Sequence, residues 1–132
     1  MITYLADSSA WIDFIRRPES DLRRYVEDNT AGHTEVVAME LLSGTVTERD
    51  SVDVERLLLR SPLLAFDSTS DFLAATDLRR AALRRGLRVG ALDCMILAVA
   101  GRYDVPLITK DRPQAELART LGLRVELLAQ VN

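Results

Sequence analysis

Cysteine and histidine are nearly absent: Cys94 and His33 stand alone among 132 residues. One thiol closes no disulfide within the chain and builds no Cys-rich zinc site. One imidazole excludes a His-cluster metal site and argues against a histidine-based catalytic triad. Lysine is as scarce, since Lys110 is the only one of the 17 basic residues that is not arginine, a bias attributed to codon usage. Long hydrophobic runs are missing too. The longest uninterrupted apolar stretch is 94–100, where a membrane span needs about 18 residues. The opening Met1-Ile2-Thr3-Tyr4-Leu5-Ala6-Asp7 has no basic segment and soon meets an acid, so no signal peptide is expected and a cytoplasmic setting is. With 6 Gly and 4 Pro there is no linker or low-complexity tract. The net charge of −3, from 20 acids against 17 bases, lacks the strongly basic balance that announces a nucleic-acid binder.

What is present suits a folded α/β chain. Hydrophobic residues make up 48%, enough for a core, and the length fits one domain over 1–132. A β-prone run at 2–6 precedes Asp7-Ser8-Ser9, which are helix N-cap residues, and a helix at 10–15 that Pro18 ends. A second helix is expected over 19–28, a turn over 29–32, a short strand at 34–37, and a helix from there through Leu42 that Gly44 stops. Helix 51–59 and a strand at 62–66 follow, with Pro62 marking an edge position. The second half alternates a long amphipathic helix (70–85), a helix (91–101), a continuous apolar strand (105–109), a helix opened by proline (113–121) and a last strand (123–127). Alternation of this kind predicts a parallel sheet with helices on both faces.

Four acids sit in apolar or element-end settings. Asp7 closes the first strand, Glu40 lies inside Val36-Val37-Ala38-Met39-Glu40-Leu41-Leu42, Asp93 opens a helix, and Asp111 follows Leu107-Ile108-Thr109. Open α/β sheets bind ligands beyond the carboxyl ends of their strands, at the switch point of strand order. If the strands before Asp7 and Asp111 are neighbours there, their carboxylates face one crevice. Each acid also has a local reading. Asp7 and Asp93 suit helix N-termini, Asp111 a turn before Pro113, and Glu40 a buried arginine partner. Taken together, several carboxylates in one crevice take up protons unless a cation neutralises them. All-oxygen ligands select Mg²⁺ or Mn²⁺ over zinc, and such sites activate water for phosphodiester hydrolysis.

Four stretches carry a resemblance: Leu5-Ala6-Asp7-Ser8-Ser9-Ala10-Trp11, Met39-Glu40-Leu41-Leu42-Ser43-Gly44, Gly90-Ala91-Leu92-Asp93-Cys94-Met95-Ile96-Leu97-Ala98 and Leu107-Ile108-Thr109-Lys110-Asp111-Arg112. In this order and spacing, over essentially the whole chain, the sequence resembles PIN-domain ribonucleases of the VapC type, toxins of bacterial toxin–antitoxin pairs. The resemblance implies a three-layer α/β/α sandwich with a parallel five-stranded sheet. It implies an Mg²⁺-dependent (or Mn²⁺-dependent) endoribonuclease acting on structured RNA such as tRNA or rRNA, a homodimer, and a cognate VapB-type antitoxin. Asp7, Glu40, Asp93 and Asp111 take the family's acidic, metal-binding positions, Glu40 directly or through water, and Asp111 at a position that varies among relatives. Ser8 and Thr109 orient carboxylates. Where the family often has an aromatic shortly after the fourth acid, this chain has Pro113-Gln114.

Arg79, Arg80, Arg84, Arg85 and Arg88 crowd five arginines into ten residues. They are either the solvated face of a helix or a track for RNA phosphates, with Lys110 as a further phosphate contact. Without the four candidate acids the rest of the chain is slightly basic, so the acidic balance does not exclude RNA. His33 reads as structural, Cys94 as a small buried residue, and Trp11 with Phe14 as core or dimer surface. Two other classes stay open. A receiver-like phosphoacceptor domain has similar size and a lysine like Lys110, but requires an acid pair where Asp7 is followed by two serines. A catalytically silent PIN-like module for RNA or protein is the other, against which the retention of all four acids argues.

Overall fold

In the structure, a computed structural model that describes residues 2–129, strands are separated by helices, singly or in runs of up to four. In chain order the elements are β1 (Tyr4–Ala6), α1 (Ser8–Arg16), α2 (Arg23–Glu27), β2 (Ala31–Gly32), α3 (Glu35–Ser43), α4 (Glu48–Leu59), α5 (Ser70–Arg84), α6 (Ala91–Tyr103), β3 (Leu107–Thr109), α7 (Arg112–Thr120) and β4 (Val125–Leu127). Among the described residues no helix is long and apolar enough to cross a membrane.

The strands form one parallel sheet in the order β2-β1-β3-β4. Leu5 lies opposite Leu107 and Ala6 opposite Ile108. From β1 the chain steps first to β2 on one side and only later to β3 on the other, so β1 and β3 flank the switch point. Both are buried on both faces, with Leu5, Ala6, Leu107 and Ile108 fully covered, which is why they read as unbroken apolar runs. Ile96, Leu97 and Val99 from α6 and Leu117 from α7 pack into the same core. Trp11 joins it, 1% exposed, with its ring edge-on to Phe14, so the first helix presents its indole to the core.

Several sequence expectations shift. The strand expected at 34–37 is helix: Thr34, extended, is the N-cap of α3, and Val36 and Val37 are buried on that helix. The pairing segment lies just before it at Ala31–Gly32, inside the stretch read as a turn, because two residues carry no periodicity. The turn itself is confined to Asn29, whose φ is +57°. The helix expected over 19–28 shrinks to Arg23–Glu27. The fifth strand at 62–66 is reduced to one parallel bridge, His33 to Leu63, carried by His33 N–H to the Pro62 carbonyl (2.9 Å) and Leu64 N–H to the His33 carbonyl (2.8 Å). It sits at the sheet edge, where proline is tolerated. His33 is buried and hydrogen-bonded to Ser61, and burial holds its imidazole below the usual value.

The connection leading into α5 is clamped to α6. Asp71, 1% exposed, accepts from Arg102 Nε (3.0 Å), Arg102 Nη2 (2.9 Å) and the Asp67 N–H (2.7 Å). The Ala65 N–H donates to the Tyr103 hydroxyl (3.0 Å). Asp71→Ala strands the Asp67 N–H, in a part-buried bond, and a guanidinium that is 36% exposed. A loss of about 2–3 kcal/mol is expected, below that of a fully buried pair because Arg102 is partly wetted. Urea unfolding monitored by Trp11 fluorescence measures it.

Candidate functional site

The four acids arrive from four places. Asp7 follows β1, and its N–H donates to the Ile108 carbonyl of β3 (2.9 Å), so it lies beside Thr109 at the switch point. Asp111 is two residues past Thr109 and is the N-cap residue of α7. Asp93 is in the first turn of α6, and Glu40 is on α3, which packs against both α1 and α6. The strands that lead into Asp7 and Asp111 are therefore neighbours, as anticipated, at the switch point of the sheet.

Asp7 is the anchor. It is 1% exposed. Its Oδ1 accepts from Ser9 Oγ (2.7 Å) and the Ala10 N–H (3.0 Å), and its Oδ2 accepts from Thr109 Oγ1. The local reading is thus also true: Asp7 is the N-cap of α1. Burial pushes its carboxyl above the ordinary value, the three donors pull it back, and Asp111 adds repulsion. Asp93 is pushed up to about 6, first by burial and then by Asp7, Asp111 and Glu40. Repulsion from three neighbouring acids is the electrostatic signature of one cluster. Asp111 is also raised by burial, offset by the Gln114 backbone N–H. None of the four acids has an ion-pair partner among the described residues.

Glu40 departs from expectation. The flanking Met39 is 50% exposed while Leu41 is buried, because adjacent residues on a helix point in different directions. Glu40 is itself only half-buried, and it takes no arginine partner. It accepts from Ser8 Oγ at 2.6 Å. The fully buried carboxylate is Asp7 instead, compensated by three hydrogen-bond donors and no cation.

Three further polar residues, none of them singled out by the sequence pattern, hold the site together. Ser9 bridges Asp7 and the loop after β3, donating to Asp7 and accepting from the Lys110 N–H (2.9 Å). Asp13 on α1 binds Lys110 Nζ (3.1 Å) and Arg17 (3.0 Å); burial raises its carboxyl, but these two cations hold it lower overall. Lys110, with 14% of its side chain exposed, is turned toward α1 rather than out to solvent. Gln114, fully buried, lies against Thr109. Its signal was a polar residue at helical spacing with the buried Leu117 and Ala118 of α7.

Arg80, Arg84, Arg85 and Arg88 are exposed and Arg79 is half-buried. They run along the end of α5 and the loop that leads to Gly90 and Asp93. Arg79 is near enough to act on the Cys94 thiol, although burial dominates there and raises it.

The PIN domain pattern matches residues 4–120. The chain belongs to the PIN domain family. The chain is 34% identical over 127 residues to VapC ribonuclease Mb1587 of Mycobacterium bovis and, equally, to ribonuclease VapC11 of Mycobacterium tuberculosis, covering 91% of this chain and 95% of each relative. The fold is similar to that of the DNA-bound VapBC complex of Salmonella typhimurium, with a TM-score of 0.80 and 26% identity over 96% of this chain and 98% of the other. Against the sequence expectations, the PIN fold and the VapC-type resemblance hold.

Among the described residues of this PIN domain, no three His, Cys, Asp or Glu side chains are already arranged to hold one metal ion. The donor set nevertheless fits one. It is a cluster of carboxylates with no ion-pair partner among the described residues, one member fully buried and another, Asp93, pushed up to about 6 by burial and by its acidic neighbours. Oxygen ligands of this kind suit hard divalent cations.

Proposed function

We propose that this protein is a metal-dependent endoribonuclease toxin of the VapC type, one PIN domain acting on cellular RNA in the cytoplasm and held in check by a cognate VapB-type antitoxin. The observation that carries this reading is the gathering of Asp7, Glu40, Asp93 and Asp111 at the switch point without a counter-charge. The curated relatives, named as VapC ribonucleases, and the structural likeness to a VapBC complex support it.

Asp7 and Asp93 would hold Mg²⁺ or Mn²⁺, with Glu40 and Asp111 bearing on it directly or through water. When bound, the cation supplies Lewis-acid polarisation of the phosphate and a more acidic water. The chain's own residues do the rest. Ser9, Thr109 and the Ala10 N–H orient the Asp7 carboxylate and favour its ionised form against the burial that raises it. Ser8 fixes Glu40. The scarcity of histidine leaves proton transfer to carboxylates and water. The arginines from Arg79 to Arg88 supply phosphate contacts on the approach to Asp93; Lys110, paired with Asp13, instead ties the loop after β3 to α1.

A groove of about 510 Å³ starts at Glu40 and is lined by Ile12, Ile15, Leu41, Val46 and Val54. Its exposed aliphatic surface suits an antitoxin segment lying beside the acidic cluster. The family resemblance also implies a homodimer.

Purified protein with Mg²⁺ or Mn²⁺ is expected to cut RNA. Chelation with EDTA should stop it, and Asp7→Asn should lower the rate at least about 100-fold. Mapping RNA 5′ ends after expression of the parent and of Asp7→Asn measures this. Intact RNA with either metal, or an Asp7→Asn variant as active as the parent, sinks the proposal.

A further inference from the structure

Asp7 and Asp93 stand on different elements, and something must set the distance between them. Gln114 is placed to do so. It is fully buried on the first turns of α7, and its amide reaches both sides of the acidic cluster. Oε1 lies 3.1 Å from Thr109 Oγ1, the same hydroxyl that donates to Asp7 Oδ2 and accepts from the Asp111 N–H (2.9 Å). Nε2 donates to the backbone carbonyl of Asp93 (3.3 Å). One side chain thus links the orienting group of Asp7 to the backbone of Asp93.

We propose that Gln114 is a positioning residue that holds the Asp7 and Asp93 carboxylates in register for a shared divalent cation; this rests on the functional reading above. An aromatic side chain in the same space fills volume but makes neither bond. A buried amide costs free energy unless its ends find partners; here Nε2 donates to the Asp93 carbonyl, and Oε1 competes with Asp7 Oδ2 for the single hydrogen of the Thr109 hydroxyl. The amide also limits how the Thr109 hydroxyl turns, since Asp7 Oδ2 and Gln114 Oε1 are both acceptors within its reach. Groups hydrogen-bonded to a metal's ligands commonly change its affinity 10- to 100-fold when lost, and Gln114 acts through one such group, Thr109.

The test uses Gln114→Met, which keeps length and volume but removes both bonds. Mn²⁺ alone is titrated by calorimetry, and kcat and KM are measured on one synthetic RNA stem-loop that the parent cuts. The expected result is about a 10-fold weaker Mn²⁺ affinity and a similar fall in kcat, with KM for the RNA unchanged. Mn²⁺ affinity and kcat both within about twofold of the parent would overturn the proposal. Asp93→Asn is run alongside: if it also binds Mn²⁺ like the parent, the reading of the site itself falls, and this inference with it. If Gln114→Met fails to melt cooperatively, Gln114→Asn decides by the same thresholds, since it keeps an amide one methylene too short to span both partners. Loss of folding in that variant as well would assign Gln114 a purely structural role and overturn the proposal.

Discussion

Asp93→Asn is expected to silence RNA cleavage, by at least about 100-fold, while making the metal-free protein more stable at neutral pH. The two effects have one cause. Burial and the charges of Asp7, Asp111 and Glu40 raise the Asp93 carboxyl from 3.8 to about 6. A carboxyl raised by folding is one whose protonated form the fold prefers. Its contribution to stability is complete below about pH 4 and disappears as pH rises through about 6. Above that, the ionised group opposes folding. A tenfold change in the protonation equilibrium corresponds to about 1.4 kcal/mol. Because Asp93 is partly wetted, a gain of about 1–2 kcal/mol is expected for the asparagine variant at pH 7–8 in EDTA, or several degrees in melting temperature. The gain should vanish near pH 4. Added Mg²⁺ should reverse the order, stabilising the parent through binding and leaving the variant little changed. A variant that loses activity because it unfolds would melt lower at every pH, so melting curves at pH 4 and 8, with and without Mg²⁺, separate the two explanations.

Gly32→Ala is expected to destabilise the fold by about 2–3 kcal/mol through a contact no local pattern reveals. Gly32 is the second residue of β2 and lies opposite Leu5 of β1. A Cβ built there would stand 2.9 Å from the Tyr4 carbonyl oxygen and 3.2 Å from the Pro62 carbonyl oxygen, and would run into Leu64 Cδ1. The leucine end is able to turn aside, but the two carbonyls belong to the sheet and its rudimentary fifth strand. The carbonyl of Gly32 also accepts from the Trp11 indole (3.3 Å), so displacement of β2 disturbs a core residue. Gly90, with open space around it, is the control: Gly90→Ala is expected to cost well under 1 kcal/mol in the same chemical denaturation.

The acids that define the candidate site were legible because each broke a local rule. Asp7 and Asp111 follow apolar strands, and Asp93 opens an apolar helix. Glu40 belongs to the cluster for a different reason than its neighbours suggest. Its apolar sequence neighbours imply burial, yet the side chain lies half-exposed against Ser8. Ser8 and Thr109 were recognised as carboxylate partners, and the structure divides them, Ser8 to Glu40 and Thr109 to Asp7. Lys110 shows the limit of reading charge from sequence. Beside Asp111 it suggests a phosphate contact, but its ion-pair partner in space is Asp13, nearly a hundred residues earlier. The misplaced second strand has a similar cause: β2 is two residues long, and its pairing is set by neighbouring strands rather than by its own composition.

Sequence by itself determined the order of elements and limited the ligands open to any metal. One histidine and one cysteine leave oxygen ligands as the means of holding a metal, and the alternation of apolar strands with amphipathic helices requires a parallel sheet whose carboxyl ends form a crevice. Tertiary structure alone decided which strands share that crevice, which carboxylate is fully buried, and which polar groups hold it. Those choices depend on pairings between residues far apart in the chain, such as Thr109 with Asp7 and Gln114 with Asp93, and such pairings leave no local periodicity to read.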